Sequence, residues 1–170
     1  MENNIIIDRK IFLDIANEYY MSYTKLDNGI YKFNIEDNNI DIFVKKVNRT
    51  KYVIYQNSEI IATIKNPYFG KKKLFYNNMI DCLLIKDGNI IYIPPKCLNI
   101  DGFNSFVSKN IKELNNYDIL NENSNIVTYK NEMIFTKYNE TKNNNLKTKY
   151  YIVRKPLNII QGITLALILK

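Results

Sequence analysis

The last fourteen residues constrain the fold more than any other stretch. Between Leu157 and Leu169 only Asn158, Gln161, Gly162 and Thr164 interrupt the apolar side chains, so a helix there is apolar nearly all round. Such a helix has to be buried on most faces, because each Leu or Ile left wet forfeits roughly 1.5 to 3 kcal/mol. Pro156 fits the first turn of this helix, where its missing N–H is no loss. The competing reading is a membrane anchor. At about 1.5 Å per residue, however, fourteen helical residues reach about 21 Å, against roughly 30 Å of hydrocarbon. The expectation is a helix swallowed by the rest of the chain.

That enclosure has to come from strands. Ile, Tyr, Phe and Val are abundant, and these side chains pack well on a pleated surface. Tyr31, Phe33 and Ile35 alternate with Lys32 and Asn34; Ile40 to Val44, Lys51 to Tyr55 and Glu59 to Lys65 follow at short spacing, parted by Asn, Asp and Ser clusters that favour turns. After the break at Asn66-Pro67 come Leu74 to Tyr76, Asp81 to Ile85 and Ile90 to Ile93, the last two joined through Asp87-Gly88, a strong hairpin signal. Ile126 to Tyr129, Met133 to Tyr138 and Tyr150 to Val153 complete the set, with Asn139 to Thr148 expected as a polar loop. Two short helices are expected outside this meander. Asp8 is placed to cap one in which Ile11, Ile15, Tyr19 and Tyr23 recur every four residues, and Phe103 to Leu114 returns to helical spacing behind Ser105. With 170 residues, no repeat and no linker, residues 1–170 read as one β-rich α+β domain. Ile and Asn together make up about a third of the chain, which reads as the coding bias of an AT-rich genome.

Much chemistry is missing. The chain has no His, which removes the commonest general base and metal ligand and every Ser-His or Cys-His nucleophile. Its five glycines are scattered and form no phosphate loop. Glu36, Asp37 and Asp41 sit in an Asn-rich turn, where acids are common, and read as turn residues in preference to a Mg²⁺ or acid-base site. No catalytic residue, metal site or cofactor is expected. Cys82 and Cys97 lie too far apart for a Cys-x-x-Cys pair and read as free thiols. No secretory signal is recognisable near Met1, so the expected location is cytoplasmic, with peripheral attachment to membranes as an option.

Charge is uneven along the chain. From Lys45 to Lys73 eight basic residues face Glu59 alone; from Lys130 onward eight oppose Glu132 and Glu140; residues 1–44 are acidic overall. Such polarity points to an anionic partner.

Two stretches resemble the tubby-like family. Pro156-Leu157-Asn158-Ile159-Ile160-Gln161-Gly162-Ile163-Thr164-Leu165-Ala166-Leu167 is similar to the family's terminal signature, with the proline, both leucines and the glutamine in register. Ile61-Ala62-Thr63-Ile64-Lys65-Asn66-Pro67-Tyr68-Phe69-Gly70-Lys71-Lys72 is similar to its Ile-Gly-Lys-Leu-Arg-Ser-Asn-Leu-Leu-Gly-Thr-Lys stretch. The resemblance implies a closed antiparallel barrel around a central hydrophobic C-terminal helix, the arrangement of tubby, phospholipid scramblases and plant LURP-one-related proteins. Pro156, Leu157, Ile160, Gln161, Leu165 and Leu167 would then form its core segment. Tubby proteins bind phosphoinositide head groups through a Lys and an Arg two residues apart; the matching positions here are Thr63 and Lys65, so one cation is replaced.

The function expected on these grounds is non-enzymatic docking on anionic phospholipid or phosphoinositide through Lys45, Lys46, Lys65, Lys71, Lys72 and Lys73, each basic residue near such a surface adding about 1 kcal/mol. The alternatives are nucleic-acid binding, with Tyr52, Tyr55, Phe75 and Tyr76 stacking bases beside Lys51 and Lys73, and a protein-interaction scaffold such as a viral or parasite factor.

Overall fold

The computed structural model describes residues 18–36, 40–76, 81–94 and 117–169. Twelve strands run up and down in chain order: β1 (Glu18–Lys25), β2 (Ile30–Ile35), β3 (Ile40–Asn48), β4 (Lys51–Gln56), β5 (Glu59–Lys65), β6 (Lys72–Tyr76), β7 (Asp81–Asp87), β8 (Ile90–Ile93), β9 (Asp118–Asn123), β10 (Ile126–Tyr129), β11 (Glu132–Asn143) and β12 (Leu146–Arg154). Each pairs antiparallel with its sequence neighbours, and β12 closes on β1 with Glu18 opposite Arg154 and Thr24 opposite Thr148. An even number of up-and-down strands leaves an antiparallel seam, so among the described strands no sheet edge is left unpaired.

A barrel of eight strands is just filled by its own side chains, and a wider one needs something else inside. Here that is the helix α1 (Ile159–Ile168), every residue of which is buried. Its polar groups are all used. Asn158 and Gln161 form a reciprocal cap, with the Gln161 N–H donating to Asn158 Oδ1 at 2.8 Å and the Asn158 N–H to Gln161 Oε1 at 3.0 Å. Gln161 Nε2 donates across to the Leu83 carbonyl at 2.8 Å, and Thr164 Oγ1 to the Ile160 carbonyl at 2.9 Å. The Tyr19 hydroxyl donates to the Asn158 carbonyl at 2.6 Å. A Cβ on Gly162 would lie 2.8 Å from the Tyr19 hydroxyl and 3.1 Å from Val153 Cγ1, so glycine is what lets α1 sit against β1 and β12. Among the described residues no helix is long and apolar enough to cross a membrane.

The turns explain part of the composition. Asn57-Ser58, Ser124-Asn125, Lys130-Asn131 and Asn144-Asn145 each place two successive residues at positive φ, the type I′ geometry that matches the twist of paired strands. Six of the nine described non-glycine residues at positive φ are Asn, the side chain that tolerates this region best after glycine. The asparagines are thus used structurally, whatever their origin in codon bias.

Four expectations need correction or completion. Residues 18–23 belong to strand β1 and not to a helix: a spacing of four between Tyr19 and Tyr23 fits a strand equally well, and Tyr19, Met21 and Tyr23 are buried while Glu18 and Tyr20 face out. Asn139 to Thr148 is a β-hairpin and not a loop; its strands outrun the barrel wall, so both faces are wet and no apolar alternation is needed. Pro156 precedes the helix, in a turn closed by the Leu157 N–H on the Arg154 carbonyl, because Asn158 takes the cap position. Strand β9 had no sequence signal, since Leu120 is its one fully buried side chain. The expected helix over Phe103 to Leu114, Asp8 to Ala16 of the N-terminal one, Asp37 and Cys97 lie outside the described residues.

Candidate anion-binding end of the barrel

Hairpin connectivity sorts the charges. The odd-numbered strands all start at the end where α1 enters, and each carries an acid at its first or second position: Glu18, Asp41, Glu59, Asp81, Asp118 and Glu132. Five of the six finish at the opposite end with a lysine in the last three residues: Lys25, Lys46, Lys65, Lys86 and Lys142. The unevenness seen along the sequence is therefore an axis through the barrel, from an acidic entry end to a basic end. The carbonyl terminus of α1 points to the basic end, where its partial negative charge favours cations.

Inside that end lies a cavity of about 690 Å³, lined by Tyr23, Lys25, Tyr31, Lys46, Tyr52, Asn145, Lys147 and Lys149 and floored by Ala166, Leu167 and Leu169 at the end of α1. Strand register puts three of these lysines directly opposite a tyrosine on the inward face: Lys25 opposite Tyr31, Lys46 opposite Tyr52 and Lys149 opposite Tyr23. Each ammonium stands over its partner ring, at 5.8, 5.8 and 5.9 Å from the centroid, within reach of the ring's negative face. The rings below form an aromatic belt. Tyr151 stacks on Tyr23 at 5.9 Å and on Phe135 at 5.3 Å, and Tyr31 meets Tyr23 and Tyr52 edge-on at 5.7 and 6.0 Å. Burial first, then the neighbouring hydroxyls of Tyr31 and Tyr23, push the Tyr52 hydroxyl up to about 12, so it stays neutral.

The nearest described acid is Glu140 on β11, which pairs with Lys137 at 3.1 Å and Lys147 at 3.6 Å. The hydrogen bond from Lys137, and then the charges of Lys147 and Lys149, hold its carboxyl below its usual range. Among the described side chains no carboxylate comes within ion-pair distance of Lys25, Lys46 or Lys149.

The six lysines expected to act together are divided. Lys46 enters the cavity. Lys65 and Lys73 lie on the outer face in a cross-strand row with Lys51, and Lys45 is exposed on β3 nearby. Like charges set directly opposite each other destabilise a sheet. Lys71 is exposed on the loop between β5 and β6, while Lys72 holds that loop by donating to Asn66 Oδ1 and to the Pro67 carbonyl. The same loop projects Tyr68 and Phe69, 73% and 92% exposed, and two other hairpins of this end leave Val47 and Leu146 uncovered. Of the aromatics that nucleic-acid binding required, Tyr52 and Phe75 are only 4% and 9% exposed, and so are spent on packing. Thr63 is buried. Lys25, Lys147, Lys149, Tyr68 and Phe69 were not singled out by sequence. A usable signal existed: Lys25 and Lys149 stand in phase with Tyr23 and Tyr151, on the inward side of their strands. Among the described residues no three His, Cys, Asp or Glu side chains gather where they could hold a metal ion. No protein-family model, characterised protein or solved structure matches the chain.

Proposed function

We propose that the protein is a non-enzymatic peripheral module, of the tubby-like kind its sequence resembles, that sets its basic end on anionic phospholipid or phosphoinositide. The observation that carries this is the coincidence, at one end of the barrel, of the strand-end lysines with uncovered Val47, Tyr68, Phe69 and Leu146 on hairpin tips. Aromatic rings favour the headgroup level of a bilayer, and each lysine near an anionic surface adds about 1 kcal/mol. Two weak contributions of different kind, apolar insertion and charge, then act on the same face. The acidic entry end would face away, which orients the molecule. Anionic phospholipid is concentrated on the cytoplasmic leaflet, so that is where the module would sit.

Vesicle sedimentation tests this with phosphatidylcholine alone, with added phosphatidylserine and with added phosphoinositide. Recovery should rise on both anionic compositions, fall with salt and drop in Phe69→Ser and Lys71→Glu. Equal recovery on neutral and anionic vesicles would remove the proposal.

A further inference from the structure

We infer that the cavity at the basic end is a pocket for a compact, multiply charged phosphate group, distinct from the outer lysine row and the hairpin tips that would meet a membrane. Three observations converge on this. The first is repetition: the same cross-strand unit, a lysine over the ring of an opposed tyrosine, occurs three times around one mouth, on strands β1 with β2, β3 with β4, and β12 with β1. The ring faces attract the ammonium groups at the mouth, where Lys25 and Lys46 remain exposed.

The second is donor chemistry. Lys25, Lys46 and Lys149 offer hydrogen-bond donors with no described carboxylate beside them, while Lys147 shares Glu140, the acid at this mouth, with Lys137. Lysine has donors and no acceptor, so a ligand that satisfies this wall must be rich in acceptors and carry several negative charges. Phosphate oxygens fit that description, and carboxylates do so with less charge in the same volume. The third is shape. About 690 Å³ falls within the roughly 300 to 1,000 Å³ usual for small-ligand sites, and a concave wall of one sign concentrates its field on the opening. The apolar floor of Ala166, Leu167 and Leu169 excludes a deep polar ligand and keeps the anion at the lysine level.

The phosphate could belong to a soluble polyphosphate compound or to a phosphomonoester lipid head group reaching into the mouth, and both present the same chemistry to the lysines. Titration calorimetry of the intact protein with sodium tripolyphosphate at low ionic strength is the direct test. We expect saturable uptake of one tripolyphosphate per chain. Lys46→Gln and Lys149→Gln should each weaken it about tenfold, the loss of one charge-assisted hydrogen bond. Lys46→Arg should retain it, and so should Lys65→Gln on the outer row and Phe69→Ser at the loop tip. Circular dichroism of each variant confirms the fold, and the arginine variant keeps the test decisive if a glutamine variant unfolds. Vesicles carrying phosphatidic acid, compared with phosphatidylserine, separate the two sources. A preference for phosphatidic acid that Lys149→Gln abolishes names the lipid head group; tripolyphosphate uptake without that preference names a soluble ligand. Absence of saturable uptake, or equal weakening by Lys65→Gln and Lys149→Gln, overturns the pocket. Sedimentation with anionic vesicles that survives such a result leaves membrane docking standing, and loss of vesicle binding in Phe69→Ser with tripolyphosphate uptake intact does the reverse.

Discussion

The two ends of the barrel share the in-out alternation of the same twelve strands, yet they treat polar groups in opposite ways. At the entry end the described polar side chains at the helix start are paired: Asn158 and Gln161 cap each other, Gln161 reaches Leu83, and Tyr19 closes on the Asn158 carbonyl. Arg154 and Glu18 pair at 2.6 Å across the seam. At the basic end, inward lysines crowd a mouth with no described carboxylate opposite three of them, and Tyr68 and Phe69 stand in solvent. One end is arranged for stability. The other keeps repulsion and wet aromatics, which a sequence retains where something else is gained. The division also matches the helix, since α1 is capped by side chains at its start and finishes in open backbone geometry at Leu169, beside the cavity.

Mutations should separate the ends cleanly. The largest loss is expected from Leu165→Ala, which empties a fully buried position of α1 and should cost about 2 to 5 kcal/mol in urea unfolding. Gly162→Ala comes next, at about 1 to 3 kcal/mol, because the new Cβ meets a Tyr19 hydroxyl already committed to Asn158 and a buried Val153. Tyr19→Phe should cost less, about 1 kcal/mol, since the Asn158 carbonyl keeps the N–H of Gly162 at 2.9 Å. Lys46→Gln and Lys149→Gln at the other end should change stability by less than about 0.5 kcal/mol. A loss comparable to that of Gly162→Ala would show that these lysines hold the barrel together and would erase the contrast.

The tyrosine belt adds a pH test that applies to the basic end. Tyr52 keeps its proton when folded to about pH 12, against about 10 for a tyrosine in the unfolded chain. The folded state then binds the proton more tightly, so this contribution is whole below about pH 10 and disappears as pH rises toward 12. Following phenolate absorbance together with unfolding should show Tyr52→Phe flattening part of that alkaline loss. An unchanged profile would mean that the hydroxyl is not held as described.

How much of this was readable from the chain differs by element, for physical reasons. The helix was legible because nine of the thirteen positions from Leu157 to Leu169 are apolar and leave no amphipathic alternative, whereas Asn158 was legible only as an interruption and Gln161 only through the resemblance, their capping roles depending on geometry. Most strands were legible through alternation. Those that failed had weak or shared periods: β1, where a spacing of four serves both helix and strand; β9, whose Ile119 faces solvent; and the β11–β12 hairpin, wet on both faces. The lysine patch was half legible. Reading along the sequence grouped Lys45 with Lys46, but alternation sends one outward and the other into the mouth, where it meets Lys25 and Lys149 from distant strands. Only closure of the barrel brings those three together.

Hydrogen exchange of the intact protein, with and without phosphatidylserine-containing vesicles, tests most directly whether the basic end is the binding end. Slowed exchange should be confined to the hairpins around Val47, Tyr68 to Lys71 and Asn144-Asn145, with those at Asn57-Ser58 and Lys130-Asn131 unchanged. Protection at the entry hairpins, or uniform protection around the barrel on bound vesicles, would contradict the account.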